Sequence, residues 1–279
     1  MRTSPAHAYA TLVTGPDYIQ GALALVHSLQ HHNAEADILI MHTPAVDAGE
    51  LSELSQAGAL IVEVQPLELS EAFIARHAKK EIHANRPFTK GEKPSFHTPL
   101  DNFCKLRLWE LDDYDRIVFI DADAIAVRNL DRLFGYPEFS AAPNVYESLA
   151  DFHRLNSGVF VAEPNKATFA RMMNALDAPD AFWPRTDQTF LEHFFADWHG
   201  LPVFFNTLQY VWFNMPELWR WSSVHVVHYQ YEKPWMRDHG RADLLKPLID
   251  LWWRYRNNED IPDTDSLPDP VIVPDGEVG

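Results

Sequence analysis

The sequence predicts an α/β fold built on a sheet with helices covering both faces. Two observations carry this reading. Short β-type runs alternate with helical periods through the first third of the chain, and the wholly apolar run Ile117–Ile120 reads as a strand buried on both sides. The 279 residues, 46% of them hydrophobic, can bury a sizeable core, in one large domain or two small ones.

Ala8–Thr14 reads as the first strand, and Gly15-Pro16-Asp17 as a turn into a helix. In that helix Tyr18, Ala22, Leu25, Val26 and Leu29 recur at helical spacing. Asp37–His42 reads as a second strand, Val46–Ala57 as a helix and Leu60–Val64 as a third strand, a rhythm that indicates a parallel sheet. Residues 83–101, with three prolines, one glycine and mixed charges, break the rhythm as a long irregular loop, either a lid or a surface insertion. Asn102–Leu111 then reads as a helix and Arg116–Ile120 as the buried strand. Further strands are predicted at Gly158–Ala162, Val203–Phe205 and Val224–Tyr229, and helices near 165–176, 187–196 and 241–256. From Asn257 the chain turns acidic and Pro-punctuated, as an extended or disordered tail would be.

Charge and cysteine content exclude several function classes. The net charge of −17 opposes non-specific binding to nucleic acid or anionic membrane. Residues 257–279 hold seven acidic residues and no Lys or Arg, so −10 belongs to the rest of the chain. Cys104 is the single cysteine, which excludes intramolecular disulfides and Cys-rich zinc sites. The first twenty residues carry no apolar run of signal-peptide length, and no stretch reaches the length of a membrane span. With no Asn-x-Ser/Thr sequon, the expectation is a soluble, cytoplasmic protein.

Asp121-Ala122-Asp123 follows the buried strand directly. Asp-x-Asp occurs three times in the chain, so context must separate this copy from Asp113/Asp115 and Asp263/Asp265. Residues i and i+2 of an extended segment face the same way, and the carboxyl ends of parallel strands are where open α/β sheets bind ligands. Two adjacent carboxylates repel unless a cation neutralises them, so the pair is an oxygen site for a divalent metal. A solvated turn with Asp123 as a cap is the alternative. A haloacid-dehalogenase-type phosphatase would also place Asp-x-Asp after an apolar strand, with Asp121 as nucleophile. Its motif would normally open the domain, whereas here three predicted strands precede it, and Asp187 lacks the usual acidic partner.

An ordered series follows: Asn129-Leu-Asp131-Arg-Leu-Phe134, Ser140-Ala-Ala-Pro143, Asn156-Ser-Gly-Val-Phe160, Thr186-Asp187-Gln188, Leu201-Pro202, Asn206, Val226-Val-His228-Tyr and Lys233-Pro-Trp235. With Asp121-Ala-Asp123 it resembles the retaining glycosyltransferases of the glycogenin and galactinol synthase family (glycosyltransferase family 8) over residues 8–256. The resemblance implies a GT-A fold, with a Rossmann-like nucleotide-binding half and a mixed central sheet, spanning residues 1–256 ahead of a tail at 257–279. It implies transfer of glucose or galactose from a UDP-sugar, with retention, to a hydroxyl acceptor. The metal would be Mn²⁺, with Mg²⁺ as the alternative, held by Asp121, Asp123 and His228. An imidazole beside two carboxylates suits Mn²⁺ better than Mg²⁺.

The same resemblance places Leu12, Thr14 and Tyr18 at the uridine, and Ala122 between the metal carboxylates at the donor. Lys105 and Lys233 would face the phosphates, and Asn156, Asp187 and Gln188 the transferred sugar. Asp187, with Lys105 beside the donor, is the candidate catalytic carboxylate. It would act as nucleophile or as stabiliser of oxocarbenium character, or the acceptor would attack on the donor face instead. The sequence departs from the family pattern in three places. The segment from His228 to Lys233 has no glycine, and Gly15 stands where the family has Asn. Phe213 stands where glycogenin carries the tyrosine it glucosylates, so a separate acceptor (polyol, sugar or glycan) is expected. The stretch Asn206–Glu217 and Trp252-Trp253 are closer to galactinol synthases. Partners are then a UDP-sugar and an acceptor, not nucleic acid or membrane, with a homodimer left open. A non-catalytic sugar-nucleotide binder is the remaining alternative.

Overall fold

The computed structural model of the chain describes residues 6–84, 95–96, 98–236 and 238–270. Most of the predicted loop at 83–101 lies outside them. A seven-stranded sheet runs through the centre. In chain order its strands are β1 (His7–Val13), β2 (Asp37–His42), β3 (Leu60–Glu63), β4 (Arg116–Ile120), β6 (Ser140–Pro143), β7 (Leu155–Ala162) and β8 (His199–Gly200). Their spatial order is β3-β2-β1-β4-β7-β6-β8. The β3-β2-β1-β4 half is parallel, as the alternating pattern predicts, whereas β7 runs antiparallel to both β4 and β6. The sheet is therefore mixed, and β4 is the strand at which its direction changes.

A second sheet has three short strands: β5 (Ala124–Ala126), β9 (Thr207–Leu208) and β10 (Val226–His228). β10 lies between the other two, antiparallel to β5 and parallel to β9. Because β5 begins one residue after Asp123, this small sheet carries β10 up to the end of β4.

Each face of the large sheet has its own core. Val118 and Ile120 of β4 face α1 (Ile19–His31) and α2 (Ser52–Gln56), with Leu25, Val26, Leu29 and Leu54 packed among them. Ile117 and Phe119 face the other side, onto a 3-10 helix at Pro99–Glu110, α5 (Lys166–Leu176) and α6 (Asp187–Phe194). Both faces of β4 are thus buried, at roughly 1.5–3 kcal/mol per large apolar side chain, and an uninterrupted apolar run is the result. A third core joins α7 (Val211–Asn214) and α8 (Lys246–Arg256) through Trp212, Trp219, Trp221 and Trp252. Two short helices, α3 (Glu71–Arg76) and α4 (Lys79–Ala84), follow β3.

Several elements differ from the sequence reading. Val203–Phe205 is not a strand: Pro202 opens a 3-10 turn over Val203–Asn206, and the strand comes after it as β9. Three apolar residues do not carry enough periodicity to tell these apart. The helix predicted at Asn102–Leu111 is 3-10 and starts at Pro99. Of Val46–Ala57 only Ser52–Gln56 is α-helical, because the preceding residues turn around the Asp47 amide, which donates to Glu50 Oε2 at 2.9 Å. α8 begins at Lys246 rather than 241, with Pro247 in its first turn. β7 extends three residues ahead of the predicted strand, to Leu155. Residues 259–268 lie against the body: Trp221 Nε1 donates to Pro268 O at 2.9 Å, and Arg128 to Thr264 Oγ1 at 3.0 Å.

Candidate active site

Asp121-Ala122-Asp123 leaves the end of β4 and is pinned from two sides. The Asp121 amide donates to Gly158 O of β7, and the Tyr229 amide, just past β10, donates to Asp123 O, both at 2.8 Å. A third side is closed by α1, which approaches so closely that a Cβ on Gly21 would stand 2.2 Å from Ala122 O. Glycine there is a packing requirement. The result is a carboxylate pair held on a rigid turn at the carboxyl end of the sheet.

His228 arrives from β10, whose register places it opposite Ala124. Its Nε2 lies 3.2 Å from Asp123 Oδ1 and 3.9 Å from Asp121 Oδ2. One ligand atom from each of the three residues falls within 4.8 Å of the others, so the predicted metal ligands converge. Two carboxylates and an imidazole form a donor set that fits a divalent cation. The ring lies against Gly158, where a Cβ would stand 2.4 Å from His228 Cε1.

Two buried lysines flank this cluster. Lys105, from the 3-10 helix, places Nζ 3.0 Å from Asp121 Oδ1 and 2.8 Å from Asp187 Oδ2. It also donates to Ser157 O at 3.3 Å. Burial opposes its charge, but Asp121 and Asp187 outweigh burial and raise its pKa above the ordinary lysine value. Lys233 pairs with Asp123 Oδ2 and donates to Tyr229 O. Burial likewise works against the Asp123 carboxylate, yet Lys233 and His228 hold its pKa well below the usual range. For Asp121 burial wins over Lys105, with the Asp123 charge adding to it, and its pKa is raised.

Asp187 opens α6, and both of its oxygens are engaged. Ser157 Oγ donates to Oδ2 at 2.7 Å and Thr186 Oγ1 to Oδ1 at 2.9 Å. Thr186 holds a positive φ of 51°, a region that non-glycine residues rarely adopt and that clusters at functional sites. Gln188 is buried beside Asp187. At the end of β1, Leu12 is buried in the core and Thr14 is half-buried, its carbonyl accepting from Thr43 Oγ1 at 3.3 Å. The Tyr18 ring stands edge-on to Trp235, 6.4 Å between centroids, and burial, then Asp123 and Asp121, raise its pKa. Ala122 is buried under α1. Asn156 is buried on β7, with its amide bonded within the protein.

Residues 11–142 match the family described as Glycosyl transferase family 8. Those residues thus carry a glycosyltransferase family 8 domain. It is 30% identical over 273 residues to UDP-glucuronate:xylan alpha-glucuronosyltransferase 2 of Arabidopsis thaliana, covering 91% of this chain and 41% of the relative. The chain thus spans less than half the length of the xylan glucuronosyltransferases it matches. Galactinol synthase 1 of Solanum lycopersicum is 25% identical over 288 residues, covering 90% of this chain and 82% of the relative. Among solved structures, the galactosyltransferase LgtC in complex with donor and acceptor sugar analogs is similar with a TM-score of 0.60. That match is 14% identical and covers 92% of this chain and 98% of the other. The likeness concerns the fold, which is GT-A.

The family 8 match runs through Asp121 and Asp123 and, with the GT-A fold, opposes the phosphatase reading of Asp121. The departures from the family pattern also find physical explanations. Without glycine between His228 and Lys233, the turn is made by Tyr231 at φ 67° and clasped by Gln209, whose Nε2 donates to Gln230 O at 2.6 Å and Glu232 O at 3.0 Å. Phe213 packs on Tyr210, 4.9 Å between centroids, and the buried Tyr210 hydroxyl donates to Glu232. Not every motif residue reaches the site. Asn129 Oδ1 caps the Asp131 amide at 2.9 Å, and Tyr9 bonds Asp131 at 2.7 Å, so this pair shapes a turn remote from the metal cluster.

Sequence reasoning missed Ser157, Thr186, Asn144 and Gln209, and gave Asn206 no role. Thr186 and Asn206 stand inside quoted motifs, which was the available signal. For Ser157, the strand period was a signal too, since Asn156 and Ser157 of β7 point to opposite faces.

Proposed function

We propose that this chain is a retaining, metal-dependent glycosyltransferase that moves a hexosyl group from a UDP-sugar to a separate hydroxyl acceptor. The observation that carries this reading is the convergence of Asp121, Asp123 and His228 beside the Lys105–Asp187 pair. Mn²⁺ is the cation that the mixed oxygen and imidazole donors favour. When bound, it supplies Lewis-acid stabilisation of the charge that builds on a leaving diphosphate.

The protein's own residues do the rest in this reading. Lys233 sets a positive charge at the diphosphate position, and the turn around Tyr231 holds it there. Tyr18, Thr14 and Leu12 form the nucleotide end. Asp187 is held between Lys105, Ser157 and Thr186, placed to stabilise positive charge on the sugar. The engaged Tyr210 hydroxyl and the absence of one on Phe213 support an acceptor that is not part of this chain. UDP-glucose and UDP-galactose are the donors proposed, with a polyol or glycan as acceptor and a cytoplasmic setting.

The test is UDP release by purified protein. The panel contains UDP-glucose, UDP-galactose and UDP-glucuronate, polyol and oligosaccharide acceptors, and Mn²⁺ added or chelated. Release that needs both Mn²⁺ and acceptor, and that falls at least about 100-fold in Asp123→Ala, supports the reading. Release unchanged by chelation overturns metal dependence. Binding of donors without turnover across the panel would make the protein a sugar-nucleotide binder. Turnover with UDP-glucuronate alone would move the donor away from the neutral hexoses.

A further inference from the structure

Resting on the metal reading above, we propose that Asn206 is a positioning residue for metal ligation. Its amide fixes His228 in the tautomer whose Nε2 lone pair faces Asp121 and Asp123, and Asn156 and Asn144 hold that amide in turn. The backbone N–H of Gly158 can only donate, and its partner at 2.9 Å is Asn156 Oδ1. That atom must be the amide oxygen. Asn206 Nδ2 lies 2.8 Å from the same oxygen, so it must be the donor end of the Asn206 amide. The other end is then oxygen, and it faces His228 Nδ1 at 2.8 Å. Nδ1 therefore carries the hydrogen, and Nε2 is left to the carboxylates, 3.2 Å from Asp123 Oδ1. One main-chain amide thus dictates hydrogen positions through three side chains.

On its far side the relay ends at Asn144 and Tyr146. Asn156 Nδ2 donates to Asn144 Oδ1 at 3.0 Å and to the Tyr146 hydroxyl at 3.4 Å. With two bonds to its oxygen and two from its nitrogen, the Asn156 amide is fully committed. Asn156 thus anchors the relay to the Gly158 amide. Asn144, Asn156 and Asn206 are all buried, at most 3% exposed, so water does not compete for these bonds. A hydrogen-bonded second nitrogen fixes the orientation of a metal-ligating histidine and raises its basicity, and removing such a partner costs roughly 10–100-fold in metal affinity.

The test measures Mn²⁺ affinity of the full chain from the electron paramagnetic resonance of free Mn²⁺, with thermal unfolding as a control for folding. Asn206→Leu, near in size but without an acceptor, is expected to weaken Mn²⁺ binding about 10–100-fold. Asn206→Asp, which keeps an oxygen toward Nδ1 but sets a second one against Asn156 Oδ1, is expected to restore part of that affinity. A folded Asn206→Leu that binds Mn²⁺ as wild type does, or an Asn206→Asp as weak as Asn206→Leu, overturns the proposal. A second measurement needs no variant of Asn206. Long-range 1H–15N spectra of the metal-free protein, assigned with His228→Gln, should show His228 protonated on Nδ1. A bare Nδ1 overturns the proposal, whether or not Nε2 carries a hydrogen toward Asp123. If wild type binds no Mn²⁺, or binds it equally after Asp123→Ala, the metal reading fails and this proposal with it. If wild type binds and only the Asn206 variants behave contrary to expectation, the metal reading stands and the relay falls alone.

Discussion

Lys105 and Asp187 form a buried ion pair, Nζ to Oδ2 2.8 Å, contributed by a 3-10 helix on one side and the first residue of α6 on the other. The same ammonium reaches Asp121 at 3.0 Å and sits over the Phe119 ring, 4.7 Å from its centroid. One cation therefore stands between Asp121 of the carboxylate pair and Asp187. Lys105→Met keeps the length and apolar stem but leaves Asp121 and Asp187 facing each other without a counter-charge. Breaking a buried pair in this way costs about 3–5 kcal/mol. Chemical denaturation should show that loss, and UDP release should fall with it. A Lys105→Met protein as stable as wild type would mean that the two carboxylates are solvated rather than paired.

The two glycines that admit neighbours to the site make opposite predictions. At Gly21 a new Cβ meets the Ala122 backbone at 2.2 Å, and backbone cannot step aside cheaply. Gly21→Ala should destabilise the fold by about 1–3 kcal/mol, read as a lower denaturation midpoint. At Gly158 the obstacle is the His228 imidazole, 2.4 Å from the new Cβ at Cε1. Gly158→Ala should displace that ring and weaken Mn²⁺ binding more than it lowers stability. Equal effects of the two substitutions on Mn²⁺ affinity would contradict this division.

These glycines also mark where the sequence stops being readable. The parallel half of the sheet and α1 were legible because their apolar periods are long and both faces of β4 are buried. Asp121 and Asp123 were legible from their place at the end of the buried strand, whereas His228, Lys105 and Asp187 were legible only through the family resemblance, since no local period places β10 against β5. The antiparallel turn at β7 was not legible, because strand direction is set by pairing rather than by composition. The Asn144–Asn156–Asn206 relay was hidden for a similar reason. Three asparagines distant in the chain share no spacing rule, and only the packing of β7 against the Val203–Asn206 turn and β10 brings them together.

Stability should fall between neutral and mildly acidic pH through histidines held neutral. His77 is buried, with Nδ1 at Phe73 O and Nε2 accepting the Trp183 amide at 2.9 Å. Burial lowers its pKa below 6.5, and the Phe73 bond offsets this only in part. For His32, burial and then His31 and Arg128 lower the value to about 4. In both cases the unfolded chain binds the proton first, so stability rises with pH. The contribution is complete above about 6.5 and is lost as pH falls, for His32 down to about 4. Unfolding midpoints measured from pH 7.5 to 4.5 should decline across this window. His77→Gln, which can still accept from Trp183 but does not titrate, should flatten the upper part of the decline. An unchanged slope in that variant would exclude His77 as a contributor.

The segment after α8 should behave as part of the folded body up to about its anchored turn. Asp263 caps a 3-10 turn at Thr264–Ser266, Arg128 holds Thr264, and Pro268 receives the Trp221 indole. Ile261 and Leu267 pack against the tryptophan core around Trp212, Trp219 and Trp252. Ending the chain after Asn258 removes both apolar contacts and leaves the Trp221 indole N–H without its acceptor. Two half-buried side chains and one hydrogen bond amount to about 2–4 kcal/mol. At roughly 2–4 °C per kcal/mol for a chain of this size, the unfolding midpoint should drop by several degrees. Ending it after Pro270, beyond these anchors, should leave the midpoint near that of the full chain. Equal midpoints for the two truncations would show that residues 259–270 add nothing to the fold, and that the acidic tail begins directly after α8.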